Sequence, residues 1–186
     1  VEESRYVGPA PVPLADYCQA VKAQSITLEK PDEGRLREAV KDLLINERMF
    51  GTLGPAINSG RGMFLYGAPG NGKTSVAERL QRIFHDFVFL PYAVDVDGQI
   101  IVVYDPVAHD RIEIEEQHDP RFVPCRRPFI VVGGELTPAM LELRLDPVSQ
   151  IYSAPLQMKA NNGILVIDDF GRQMISPRKL LNRWIV

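Results

Sequence analysis

Eight consecutive residues limit what this chain can fold into more than any other stretch: Gly67-Ala68-Pro69-Gly70-Asn71-Gly72-Lys73-Thr74. The apolar run Met63-Phe64-Leu65-Tyr66 precedes them, and Ser75-Val76-Ala77-Glu78-Arg79-Leu80 follows. The order reads strand, glycine loop, helix. The spacing G-x-x-x-x-G-K-[ST] is that of a phosphate-binding loop. Gly67, Gly70 and Gly72 lack a β-carbon, so the backbone can take positive φ and wrap its N–H groups round a polyphosphate. A helix beginning near Lys73 adds unpaired donors and a partial positive charge at its N-terminus. Lys73 is expected to reach the β- and γ-phosphates, and the Thr74 hydroxyl to ligate Mg2+. The binding stretch on this reading runs from Gly67 through Ser75. Val76, Leu80 and Ile83 or Phe84 fall on one side of the helix and are expected to face a core.

A second stretch carries complementary chemistry. Gly163-Ile164-Leu165-Val166-Ile167-Asp168-Asp169 is an apolar run ending in two carboxylates. A parallel strand buried on both faces reads this way, and its C-terminal edge is where ligands bind in open α/β sheets. Asp168 is expected to hold Mg2+, directly or through water, and Asp169 to orient and deprotonate the attacking water.

Between and around these stretches the chain alternates. Residues 1–31 contain Pro9, Pro11, Pro13 and Pro31 and few periodic apolar positions, which predicts an extended arm. Asp32 is placed to cap a helix carrying Leu36, Ala39 or Val40, Leu43 and Leu44, and Gly51-Thr52-Leu53-Gly54-Pro55 is expected to break it. Phe87-Val88-Phe89-Leu90 reads as a strand. Asp97-Gly98, between Tyr92–Val96 and Gln99–Tyr104, predicts a type I' hairpin, either two ordinary sheet strands or an inserted hairpin that meets a partner. Residues 105–127 read as polar loop with a short strand near 111–115, and the acids Glu113, Glu115, Glu116 and Asp119 as solvated charge. Pro128–Val132 is a strand ending at Gly133-Gly134, with Thr137 and Pro138 opening a helix that Pro147 stops. Residues 149–162 read as loop with one helical turn. Ser176 caps a last helix, Pro177 takes its first position, and Leu180, Leu181, Trp184 and Ile185 form its apolar face.

Composition restricts the partners. With 21 Lys+Arg against 24 Asp+Glu, a net charge of -3, the chain shows no general electrostatic footprint for nucleic acid or a membrane surface. Arg126-Arg127 reads as a solvated or phosphate-facing pair. Cys18 and Cys125 are far apart without metal spacing, as expected of a protein in the reducing cytoplasm. The histidines at 85, 109 and 118 show no ligand spacing and read as surface residues. No apolar run is long enough to span a membrane.

Taken together, the Leu53-Gly54-Pro55 stretch with the helix before it, the loop at Gly67–Thr74 and the acidic strand end at Asp168-Asp169 resemble the AAA+ ATPases over about residues 31–186. Leu156 to Asp169 is similar to the L-x-x-A-x-G-G-x-L-x-I-D-E signature of members with an inserted hairpin, such as the sigma-54 activators, the chelatases and the MoxR-like group. The resemblance implies an α/β fold: a three-layer P-loop NTPase core over 32–186 with a parallel sheet, an insertion at about 91–127 containing the β-hairpin, and the helical lid missing. It implies ATP and Mg2+ as cofactors, ATP hydrolysis that drives conformational remodelling of a protein partner, and a homo-oligomeric ring.

Two departures qualify it. Asp169 stands where the family usually has Glu, one methylene longer. The sensing residue, the arginine finger, the lid and the strand between the phosphate-loop strand and the acidic strand are expected beyond Val186, so the sequence reads as truncated. Arg172, Arg178 and Arg183 are candidates either to act across a subunit boundary or to form surface salt bridges. Two other functions compete with the ATPase: a nucleotide-binding switch or scaffold that does not hydrolyse, favoured by Asp169 and the truncation, and a nucleic-acid motor or loader. The tip Asp97-Gly98-Gln99 offers the motor no basic or aromatic contact.

Overall fold

The computed structural model describes residues 4–67, 70 and 72–183. Ala68, Pro69 and Asn71 of the expected phosphate loop, and Trp184 and Ile185 of the expected last helix, lie outside the described residues. The fold is mixed α/β, with parallel and antiparallel strand pairs, and divides into two units: residues 1–23 with 87–186, and residues 24–86. Among the described residues no helix is long and apolar enough to cross a membrane.

The first unit opens with β1 (Val12–Pro13) and α1 (Leu14–Ala23). The expected extended arm is therefore helical over Leu14–Ala23. Val12 and Tyr17 are buried among Val94, Ile101, Val103 and Ala154, and this apolar contact fixes the segment despite its prolines.

The second unit contributes α2 (Glu33–Ala39), α3 (Glu47–Asn58) and α4 (Lys73–Leu80). Asp32 caps α2 as expected, its Oδ1 accepting from the Arg35 N–H at 2.8 Å. The helix ends at Ala39, however, and Leu44 is fully exposed. A new helix then runs straight through Gly51-Thr52-Leu53-Gly54-Pro55, the predicted breaker. Asn46 starts it by accepting from the Met49 N–H at 2.8 Å. Two glycines cost about 1 kcal/mol each in a helix and a proline about 3. Burying Phe50 and Leu53 returns about 1.5–3 kcal/mol each, and the cap about 1. A β-carbon at Gly54 would stand 3.6 Å from Leu36 Cδ2, an ordinary contact, so the approach of α3 to α2 does not require glycine there. Packing and the cap thus offset the cost of local propensity.

Within the same unit α4 buries Val76, Ala77 and Leu80, and Ile83 in the following turn is fully enclosed, the face predicted from its spacing. Arg79 and Arg82 both bond Asp42, tying α4 to the loop after α2.

The remaining strands belong to the first unit: β2 (Phe87–Pro91), β3 (Ala93–Val96), β4 (Gln99–Val102), β5 (Phe122–Arg126), β6 (Phe129–Val132), β7 (Arg144–Asp146), β8 (Ile151–Ser153) and β9 (Ile164–Ile167). Helices α5 (Leu156–Lys159) and α6 (Pro177–Leu181) flank β9. Among the described residues a five-stranded sheet has the order β1-β3-β4-β8-β7, and two two-stranded sheets pair β2 with β5 and β6 with β9. Asp97 (φ 52°) and Gly98 (φ 80°) form the predicted type I' turn. Its strands are interior members of the five-stranded sheet, bonded on their outer edges to β1 and β8.

Several expectations fail here for one reason, tertiary pairing of a locally neutral sequence. β5 forms within the predicted 105–127 loop because its alternate residues Val123 and Cys125 are buried against Val88 and Leu90. At residue 111 there is only a single bridge, to Cys125. The helix expected after Thr137 is a four-residue 3-10 turn, Pro138–Leu141, without a side-chain cap, and β7 follows it at once. α6 keeps its Ser176 cap and Pro177 start, with Leu180 fully buried and Leu181 partly exposed.

Candidate functional site

The phosphate loop lies in the second unit. The expected strand before it does not form: residues 62–67 make no strand, Met63 and Leu65 are half-buried, and Phe64 and Tyr66 are 64% and 87% exposed. The in-out alternation of an extended chain is present. Among the described residues no strand pairs with this stretch, so no ladder is assigned to it.

The loop's exit follows the prediction. Gly72 is left-handed (φ 68°, ψ 21°) and α4 begins at the next residue, so chain direction reverses where only glycine adopts the conformation readily. Gly70 is also left-handed (φ 82°). An added β-carbon at either glycine would meet nothing within 4 Å, so φ, not space, demands them. Lys73 Nζ donates to the Gly67 carbonyl at 3.1 Å, folding back across the loop it would serve. Thr74 is exposed and Ser75 half-buried at the first turn of α4.

The acidic pair lies in the first unit, at the C-terminal end of β9. β6 and β9 are parallel with Phe129 opposite Ile164 and Val132 opposite Ile167, and the Asp168 N–H extends the ladder by donating to Val132 O at 2.8 Å. One face of the pair, Ile130, Val132, Leu165 and Ile167, packs on Leu136, Leu141, Ile175 and Leu180. On the other face Val131 is 43% exposed, so β9 is half-buried throughout, not enclosed on both faces as its composition predicts.

The start of β9 depends on one residue. A β-carbon on Gly163 would stand 2.0 Å from Pro128 O, so only glycine lets the turn Ala160-Asn161-Asn162-Gly163 close onto β6. That turn is pinned by Gly163 N–H to Ala160 O at 2.9 Å, by Asn161 Nδ2 to Tyr17 Oη at 3.0 Å, and by the guanidinium of the buried Arg127 donating to Asn162 O at 2.8 Å. Arg127 is therefore not the solvated residue that one reading of the Arg126-Arg127 pair expects.

At the far end the carboxylates enter a tight turn. Asp169 has φ 50°, uncommon outside glycine, and its N–H donates to Asp168 Oδ1 at 2.8 Å. Asp168 is half-buried, whereas the Asp169 side chain is 61% exposed and 3.5 Å from Arg172 NH1. The parallel partner brings Gly133, Gly134 and Glu135 to the same edge. Glu135 Oε1 accepts from the Gly133 N–H at 2.8 Å, a bond that holds its carboxyl below the usual range. Sequence reasoning missed Glu135 and Gln173. Gln173 bonds the turn that carries both aspartates, and a lone amide four residues after an acid has no pattern by which to find it.

Other predicted roles are redistributed. Arg183 pairs with Glu142 at 2.7 Å, a surface salt bridge. His109 is 3% exposed, against the expectation of a surface residue. Its Nδ1 accepts from the Asp105 N–H, its Nε2 bonds Lys159 O, both at 2.9 Å, and its ring stacks on Tyr104. It fastens the 105–109 turn to α5. No group of three or more metal-ligating side chains occurs among the described residues.

Compared with models of known protein families the sequence matches none, and among curated proteins no relative is found.

Proposed function

We propose that the chain is an ATP-binding and ATP-hydrolysing module of AAA+ type that remodels a protein partner from within a homo-oligomeric ring. The observation that carries this reading is the phosphate loop: a left-handed Gly72 leading directly into a helix at Lys73, with the lysine reaching back to Gly67. Loop N–H groups, a helix N-terminus and a lysine in that arrangement suit a polyphosphate.

Support for a metal-assisted reaction comes from the acidic pair at the end of a strand with a parallel neighbour. Mg2+ usually takes one or two protein ligands and fills its shell with phosphate oxygens and water, so the reading does not need a cluster of three. In this reading Gly67 through Ser75 hold the nucleotide, bound Mg2+ neutralises phosphate charge, and Asp169 orients water. The three-layer P-loop core is proposed with it. The exposure of Asp169 and its contact with Arg172 favour a second reading, a nucleotide-binding switch without turnover.

The test is Mg2+-dependent ATP hydrolysis per subunit across a range of protein concentrations, with nucleotide binding measured in parallel. Lys73→Ala is expected to abolish binding. Asp169→Asn is expected to keep binding and lose turnover. A rate per subunit that rises with concentration supports the ring. Binding without turnover at every concentration selects the switch, and no binding rejects both.

A further inference from the structure

The turn after β9 is held by one side chain that the ATPase reading does not use. Gln173 Nε2 donates to Asp168 O at 2.7 Å and to Asp169 O at 3.1 Å, while its Oε1 accepts from the Gly171 N–H at 2.7 Å. A single amide thus engages three backbone groups of the turn in which Asp169 is left-handed. Only one orientation does so, because the reverse would set the amide oxygen against two carbonyls. The support behind it is firm: Ile175, two residues on, is buried with Leu180 in the core beneath β6 and β9.

Left-handed backbone costs a non-glycine residue about 1–2 kcal/mol and persists where surrounding bonds over-determine it. Three bonds do that here besides any from the aspartate side chains: the two from Gln173 Nε2 and the Arg172 N–H to Asp169 O at 2.9 Å. The Asp169 side chain is 61% exposed, with Arg172 NH1 at 3.5 Å, and where it leaves the chain follows from its own backbone conformation. Its direction is therefore set by the backbone conformation that Gln173 holds.

We propose that Gln173 is a positioning residue that aims the Asp169 carboxylate by clamping the backbone of the Asp168–Gly171 turn. The role rests on the ATPase reading of the same site. It requires donors facing the two carbonyls and an acceptor facing the N–H. Alanine supplies neither, and glutamate, nearly the same shape, opposes a carboxylate to both carbonyls. A displacement of about 1 Å at a reacting group costs on the order of 100-fold in rate.

The experiment uses the full chain and four proteins: the parent, Gln173→Ala, Asp169→Asn and the double variant. Single-turnover hydrolysis of ATP, binding of a fluorescent ATP analogue and hydrogen exchange at the Gly171 amide are measured on each. The expected result is a 10- to 100-fold lower rate for Gln173→Ala with affinity within twofold, faster exchange at Gly171, and no further loss when the substitution is added to Asp169→Asn. Gln173→Glu is expected to match Gln173→Ala. A Gln173→Ala rate within twofold of the parent overturns the proposal, as does an equal fall in the Asp169→Asn background, which would mean that Gln173 does not act through Asp169. A parent that does not hydrolyse ATP overturns the ATPase reading and this role with it. A parent that hydrolyses while Gln173→Ala is unaffected overturns the role of Gln173 alone.

Discussion

Gly163→Ala tests whether the parallel pair that carries the acidic residues depends on one close approach. The added methyl would lie 2.0 Å from Pro128 O and 2.8 Å from Pro128 C and N, all backbone atoms that no side-chain rotation can move. Real β-carbons stay at least 3.0 Å from such atoms, so the two chains must part by about 1 Å or more. The bond from Ile164 N–H to Pro128 O, 2.8 Å, is the first to break, at about 1 kcal/mol. Overpacking in the adjoining core adds about 1–3 kcal/mol, which places the loss at about 2–4 kcal/mol. Urea unfolding followed by circular dichroism measures it, with Gly51→Ala as the opposite control. Gly51 sits inside α3, nothing lies within 4 Å of its added methyl, and alanine there is expected to stabilise by about 0.5–1 kcal/mol. A Gly163→Ala protein less than 1 kcal/mol below the parent would refute the idea that contact with Pro128 sets where β9 begins.

Three further outcomes follow from named contacts. Asp32→Ala and Asn46→Ala each remove a helix cap and are expected to lower stability by about 1 kcal/mol in the same unfolding assay, with the serine variants close to the parent. Burial, opposed by the Lys159 carbonyl and Asp105 and reinforced by Lys159, holds His109 below its ordinary value, with Asp110 also raising it. The folded state thus binds fewer protons, and the His109 contribution is complete above pH about 6.5 and lost as pH falls below it. Urea midpoints between pH 7.5 and 5 are expected to fall with a slope reduced in His109→Gln, and identical slopes would count against the buried neutral ring. Cys125 is fully buried and its thiol is pushed up to about 12, whereas Cys18 is exposed, so a disulfide reagent at neutral pH should titrate one thiol in the folded protein and two in urea.

What the sequence disclosed and what it concealed divide along a physical line. Signals that act within a few residues, such as the cap at Asp32, the Asp97-Gly98 turn, Gly72 leading into α4 and the Ser176-Pro177 start of α6, form as predicted, because each is a local hydrogen bond or a φ requirement. Signals whose meaning depends on a distant partner do not. Gly51-Thr52-Leu53-Gly54-Pro55 is a breaker by propensity and a helix by burial of Phe50 and Leu53. Residues 122–126 carry a proline, Pro124, between the buried Val123 and Cys125, and pairing with β2 makes them a strand. Met63 to Tyr66 has the composition of a strand and, among the described residues, no ladder. The candidate site shows the same division within four residues. The carboxylates at 168 and 169 are legible from the apolar run before them, but the left-handed turn that aims one of them is held by an amide at 173, which no periodicity marks. Function at that edge would rest on the less legible half, since a carboxylate contributes to hydrolysis only where the backbone points it.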